Sequence, residues 1–135
     1  MPTVLITGTN RGVGLELTRQ YAADGWKVIA TCRDPESADE LNAIEGDVSV
    51  EMLEVRDHAG IQALSEKYGG TAIDILLLNH GANWQRKGAL ETIDYDSWVE
   101  ELKTNTLAPA VFATYFADHL ARSDQKKFIA LNLVL

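Results

Sequence analysis

The chain has 135 residues, of which 46% are hydrophobic and 24% are charged, a size and composition typical of one globular domain. Its formal charge of -8 argues against sequence-independent binding to nucleic acid, which depends on lysine and arginine. The single cysteine excludes an internal disulfide, and His58, His80 and His119 lack the spacing of metal ligands. No segment has the pattern of a membrane span or a signal peptide, so we expect a cytoplasmic protein whose partners are small molecules or proteins.

Short apolar runs alternate with helical patterns along the chain. The first run, residues 4–7, is followed by a helix over residues 13–24, and Gly25 is suited to end that helix. The other predicted strands are residues 27–32, 48–55, 73–79 and 128–135.

The later helices are predicted from their caps and breakers. Asp34 and Pro35 form a helix start, with the carboxylate as N-cap, and Asp57 caps the next helix. Residues 94–121 form a long helical region that Pro109 kinks or breaks. Strands that are apolar throughout are buried on both faces, so the alternation predicts an α/β fold. We expect a Rossmann-type, doubly wound parallel sheet of about five strands in the order 3-2-1-4-5, with helices on both faces and a single domain over residues 1–135.

Three glycines follow the first strand in the segment TGTNRGVG, residues 7–14. Gly8 allows a sharp turn, Gly12 lets the backbone approach a pyrophosphate, and Gly14 lets the helix pack closely on the sheet. Free N–H groups at the helix start would bind the phosphates. The glycines could instead serve only as turns, but the strand, turn and helix context favours dinucleotide binding.

The spacing TGxxxGxG resembles that of the short-chain dehydrogenase/reductase family, and later motifs follow in the family's order. LEVRD at residues 53–57 is similar to the family's LDVTD, LNHG at 78–81 is similar to NNAG, and Asn105 stands at the family's helix asparagine. Glu54 and His80 depart from the pattern, because the family has aspartate and alanine there. The motifs and the resemblance together imply a nicotinamide dinucleotide site made of Gly8, Thr9, Asn10, Arg11, Gly12, Val13, Gly14, Arg33, Glu54, Val55, Asn79, His80 and Gly81.

The end of the second strand bears on the choice of cofactor. NAD-binding proteins place an acidic residue there for the ribose 2'-hydroxyl, whereas this chain has Arg33, whose guanidinium suits the 2'-phosphate of NADP. Arg11 could bind the same phosphate, and this pair resembles the carbonyl-reductase-like branch of the family. The alternative is that Arg33 is solvated and Asp34 binds the ribose of NAD. We favour NADP because Asp34 is expected to cap a helix.

The resemblance also implies a catalytic tyrosine, a lysine four residues later that lowers its pKa, and a serine that orients the carbonyl. The sequence contains no Tyr-x-x-x-Lys, and its last segment has Val134 and Leu135 where the family has serines. Asn105 is therefore the one family catalytic position that we identify, and its role there is to support a proton relay. Tyr115 and His119 share one helical face, and we interpret them as a packing pair.

Four other side chains receive a structural interpretation. We expect His80 to line a loop or cap a backbone group, Trp84 and Trp98 to pack, and His58 to be solvated in the first turn of a helix.

Two hypotheses of function follow. In the first, the chain is the cofactor-binding, N-terminal half of an NADP-dependent oxidoreductase that acts on an unknown small carbonyl or alcohol, with the chain shortened relative to the family. In the second, it is a catalytically silent module that binds nucleotide or assembles with partners. A methyltransferase-type domain is a weaker alternative.

We also expect a homodimer or larger assembly, formed through the fifth strand, the long helix, or both.

Overall fold

The structure is a computed structural model that describes residues 1–80 and 94–131. It contains a parallel sheet of five strands in the order β3-β2-β1-β4-β5, which confirms the predicted order. The strands are β1 (Thr3–Ile6), β2 (Lys27–Cys32), β3 (Val48–Met52), β4 (Ile75–Leu78) and β5 (Lys127–Ala130).

Helices connect the strands. They are α1 (Gly12–Ala23), α2 (Asp39–Asn42), α3 (His58–Lys67), α4 (Tyr95–Leu102) and α5 (Ala108–Ala121). A 3-10 turn (Pro35–Ser37) precedes α2, and a π-helical turn (Lys103–Leu107) joins α4 to α5. None of the helices in the described ranges is long and apolar enough to cross a membrane.

The core lies on both faces of the sheet because side chains alternate along each strand. Val4 and Ile6 of β1 belong to a cluster that also contains Leu15 of α1 and Leu41 of α2. Leu5, which lies between them in β1, belongs to a second cluster. That cluster also contains Ile61 of α3 and Phe112 and Phe116 of α5. Both faces are therefore covered by helices, as the apolar strands predicted.

The segment after β2 corrects one prediction. The Asp34 side chain does not cap a helix through a backbone N–H; it accepts a hydrogen bond from the Ser37 hydroxyl. The expected helix is reduced to the 3-10 turn and the four residues of α2, and the Asn42 side-chain amide donates to the Pro35 carbonyl at 2.8 Å. These side-chain bonds satisfy backbone and carboxylate groups locally, so a longer helix does not form there.

The strand ends also differ from the predicted bounds. β4 runs from Ile75 rather than from residue 73, but the backbone of Asp74 already bonds to both neighbouring strands: its N–H donates to the Thr3 carbonyl at 2.8 Å and its carbonyl accepts the Lys127 N–H at 2.9 Å. Its buried carboxylate also accepts the Thr3 N–H at 3.0 Å and the Gln125 N–H at 3.4 Å. β3 ends at Met52 and β5 at Ala130. The predicted continuation of the fifth strand over residues 132–135 lies outside the described residues.

Candidate functional site

The segment 7–14 turns directly off the end of β1. Gly8 and Gly12 have φ angles of 65° and 59°, in the left-handed region that glycine adopts without steric cost. Buried Thr9, between them, donates its backbone N–H and its hydroxyl to the Thr31 carbonyl at 3.2 and 2.9 Å. The turn is thus fixed to the end of β2 by two hydrogen bonds.

Gly14 permits a close approach between α1 and the sheet. A Cβ at this position would lie 2.1 Å from the Gly8 carbonyl oxygen and 2.6 Å from Asn79 Nδ2. The Asn79 side chain in turn donates to the Gly8 carbonyl at 3.4 Å. The segment 7–14 and Asn79 therefore meet at the carboxyl ends of β1 and β4, where open α/β sheets bind ligands.

The first turn of α1 is open to an anion. Arg11 is the N-cap residue and makes no side-chain capping bond, and the first turn contains no acidic side chain. Asn10, Arg11 and Val13 are all exposed. The N–H groups of this turn can therefore donate to a phosphate.

Arg33 follows β2 at the same edge of the sheet. Its side chain is exposed, and neither Arg33 nor Arg11 takes part in the ion pairs found within residues 1–80 and 94–131. The neighbouring Asp34 carboxylate already accepts the Ser37 hydroxyl. The Arg33 guanidinium thus has no carboxylate partner in the described ranges, whereas the Asp34 carboxylate has one hydrogen-bond donor.

Glu54 is held by a partner that the sequence did not reveal. Arg56 Nε lies 2.9 Å from Glu54 Oε1, and the Arg56 N–H donates to the same oxygen at 3.2 Å. The hydrogen bond from Arg56 is the main reason that the pKa of Glu54 is lowered, and the charge of Arg33 acts in the same direction. Arg56 Nη1 also lies 2.8 Å from Glu100 Oε2, so it links the start of α3 to α4. Val55, the other predicted adenine residue, packs against the second core cluster.

Asn79 and His80 are bound to the end of β1. The Asn79 N–H donates to Thr7 Oγ1 at 3.0 Å, and His80 Nδ1 lies 2.8 Å from the same hydroxyl. His80 Nε2 lies 3.0 Å from the Thr104 carbonyl oxygen, so this histidine contacts a backbone group as predicted. Burial lowers the pKa of His80 and favours its neutral form. Gly81 lies outside the described residues.

Asn105 lies within the π-helical turn and is half-buried. π-helical turns inside longer helices are frequent at functional sites. His80 connects the backbone of this turn to the end of β1, which brings the element that carries Asn105 to the same edge as the segment 7–14.

The remaining candidates have structural roles. His119 is buried, its ring centroid lies 4.9 Å from that of Phe116, and its Nε2 donates to the Ser65 carbonyl at 2.9 Å. Tyr115 packs against the second core cluster, so both side chains serve the core, but the ring partner of His119 is Phe116 and not the predicted Tyr115. His58 is the exposed first residue of α3, as expected. Trp98 stacks on Tyr95 with centroids 6.3 Å apart but remains 48% exposed, so it packs less than predicted. Trp84, Val134 and Leu135 lie outside the described residues. Within the described ranges no three His, Cys, Asp or Glu side chains form a metal site.

Known proteins resemble this chain in both sequence and fold. The profile of the short chain dehydrogenase family matches residues 2–130. The (+)-neomenthol dehydrogenase of Arabidopsis thaliana is 29% identical over 154 residues, covering 95% of this chain and 52% of that protein. A carbonyl reductase from Pseudomonas aeruginosa PAO1, solved in complex with NADP, has a TM-score of 0.81 and 26% identity over 88% of this chain and 56% of its own. A short-chain dehydrogenase/reductase from Burkholderia multivorans with bound NADP has a TM-score of 0.78 and 27% identity, over 87% and 53%.

The chain spans about half the length of the curated relatives that it matches. The family profile nevertheless covers nearly all of the chain, and the strand order and the close approach at Gly14 agree with it. The chain belongs to the short-chain dehydrogenase/reductase family of oxidoreductases.

Proposed function

We propose that this chain binds NADP(H) as the cofactor-binding part of an oxidoreductase that transfers hydride between the nicotinamide and a small carbonyl or alcohol. The observation that carries the proposal is the approach of α1 to Gly8 and Asn79, which only a glycine at position 14 allows. It leaves the uncapped first turn of α1 directed to the carboxyl edge of the sheet, where a pyrophosphate can accept its N–H groups.

The preference for NADP over NAD is proposed from two arginines and one aspartate. Arg11 and Arg33 are exposed and lack carboxylate partners among the described residues, so both can bind a 2'-phosphate. Asp34, which would have to bind the ribose of NAD, already accepts the Ser37 hydroxyl. Two solved neighbours contain bound NADP, which supports the same choice.

Titration with NADP, NAD and 2'-phospho-AMP tests this preference. We expect NADP and 2'-phospho-AMP to bind more tightly than NAD, and Arg33→Ala to reduce the preference roughly 10- to 100-fold, the factor for a charged hydrogen-bonded pair. Added salt should weaken the preference, because the pair is exposed to solvent. Arg122→Ala is the matched control, since Arg122 is exposed at the far end of α5 and should leave both affinities unchanged. Equal binding curves for NAD and NADP would contradict the proposed specificity.

A catalytically silent nucleotide-binding or assembly module is the second candidate. The 135-residue stretch contains no Tyr-x-x-x-Lys, so by itself it offers no lysine-assisted tyrosine as proton donor to a carbonyl oxygen, and the two candidates differ in whether a longer chain supplies one. Such a donor typically contributes about 10²- to 10⁴-fold to the rate. Asn105 alone occupies a family catalytic position, and it cannot supply that proton.

The two candidates differ in their predicted activity. We expect the purified 135-residue chain to bind NADPH but to oxidise it negligibly with a panel of ketones and aldehydes, since the proton donor is missing. The same assay on a longer chain from the same gene, if its additional residues include Tyr-x-x-x-Lys, should show turnover. Turnover by the 135-residue chain that survives repurification would mean that another of its groups donates the proton.

A further inference from the structure

The π-helical turn leaves one buried carbonyl without a helical donor. The N–H of Ala108 donates to the carbonyl of Lys103, five residues earlier, as the π pattern requires. The next carbonyl is that of Thr104, and its donor in the same pattern would be residue 109. Residue 109 is a proline, which has no backbone N–H.

His80 occupies the place of that missing donor. Its Nε2 lies 3.0 Å from the Thr104 carbonyl oxygen, and Thr104 is buried. A carbonyl oxygen can only accept, so Nε2 carries the hydrogen of this bond. The imidazole ring is held from the side by Phe112 of α5, with centroids 6.0 Å apart.

The other ring nitrogen completes a directed series of hydrogen bonds. In the neutral ring Nδ1 is an acceptor, so the Thr7 hydroxyl, 2.8 Å away, donates to it. Thr7 Oγ1 in turn accepts the N–H of Asn79 at 3.0 Å. The bonds therefore run from Asn79 through Thr7 and His80 to Thr104, and each donor and acceptor in the series is used.

We infer that His80 is a positioning residue: it replaces the backbone donor that Pro109 lacks and thereby fixes the π-helical turn, with Asn105, against the carboxyl ends of β1 and β4. Alanine, which the family has at this position, has no side-chain donor for the Thr104 carbonyl. The importance of Asn105 in this arrangement rests on the proposed function, whereas the hydrogen bonds themselves can be tested without cofactor or substrate.

A double-mutant cycle between His80 and Pro109 tests the replacement. In the wild-type background, His80→Ala should increase amide hydrogen exchange in residues 105–112 roughly tenfold, the factor expected for one buried hydrogen bond. In the Pro109→Ala background the alanine N–H can donate to the Thr104 carbonyl. His80→Ala should therefore increase amide hydrogen exchange there by less than about a third of its effect in the wild-type background. Equal effects of His80→Ala in the two backgrounds would overturn the inference.

The state of the His80 ring gives a second test, on the wild-type chain. Nitrogen-15 NMR should show a neutral ring with hydrogen on Nε2, and Thr7→Val should shift the Nδ1 resonance of His80 while leaving exposed His58 unchanged. Hydrogen on Nδ1 would contradict the inference even if His80→Ala fails to fold. The two proposals can fail separately. If the wild-type chain does not bind NADP(H), but the His80 ring is neutral with hydrogen on Nε2 and the double-mutant cycle gives the expected result, the proposed function is refuted and the positioning role remains.

Discussion

At the scale of single residues, the candidate site depends most on positions where a side chain is absent. Gly14 was identified from the sequence because its spacing after a strand is typical of dinucleotide-binding turns. The structure gives the physical reason: a methyl group there would overlap the Gly8 carbonyl oxygen, at 2.1 Å. Close backbone approach of this kind has a strong local sequence signal, and such features are predictable.

Arg56 was missed because its partners are set by the fold. Glu54 is two residues away, but Glu100 is 44 residues away on α4. No local pattern indicates that a charge after β3 will meet a carboxylate on α4. The sequence predicted Glu54 as an adenine residue, and the structure adds that one of its oxygens already accepts from Arg56.

His80 should make the stability of the fold depend on pH near neutrality. Burial lowers its pKa below the ordinary value of 6.5, although the hydrogen bond to the Thr104 carbonyl and the charge of Glu54 oppose this. The unfolded chain therefore binds a proton first as pH falls, so the free energy of unfolding is at its full value above pH 6.5 and decreases as pH falls toward the folded pKa. Urea unfolding between about pH 5 and pH 7 measures this slope, in a range where carboxylates remain ionised.

The control for this prediction is a variant without the titrating ring. His80→Gln keeps a polar side chain that takes up no proton in this range, so it should flatten the slope. A slope that persists in His80→Gln would assign the titration to another group.

At the scale of elements, periodicity predicted which helices and strands exist but not how each one ends. The Asp34 to Asn42 region has the pattern of a capped helix, yet its side chains bond within the segment and only a single turn of α-helix forms. The sequence predicted that Pro109 kinks or breaks the long helical region; in the structure the helix runs on through Pro109, and its discontinuity is the π-helical turn that ends at Leu107. The sequence could not show that this discontinuity is a π-helical turn, because the donor that completes it comes from His80, 24 residues away.

The same reasoning applies to the strands. Apolar runs predicted all five of them, since burial on both faces requires such runs. The carboxylate bonds of Asp74 to Thr3 and Gln125, which lie 71 and 51 positions away, could not be predicted, because only the fold brings these residues together. Element type is a local property of the sequence, whereas long-range side-chain bonds depend on tertiary partners.

At the scale of the whole molecule, two exposed apolar surfaces favour self-association. On α4, Tyr95, Trp98, Val99 and Leu102 are 68%, 48%, 47% and 51% exposed, and their spacing places them along one face of the helix. On β5, which pairs with β4 alone in the described part of the sheet, Phe128 is 40% exposed. Large contiguous apolar surfaces of this kind are uncommon on monomers.

We therefore predict a homodimer or larger assembly that buries the α4 face, the β5 edge, or both around a two-fold axis. Sedimentation velocity at micromolar concentration should show a species heavier than the monomer, and Val99→Lys or Phe128→Lys should shift it toward the monomer, because both side chains are exposed in one chain and a lysine cannot be buried there without a partner. Ala23→Lys is the matched control: it adds the same charge to an exposed position at the end of α1, outside the long helical region and β5, and should leave the assembly intact. A monomer in the wild-type chain, with no change in solubility for either lysine variant, would mean that neither surface is an interface.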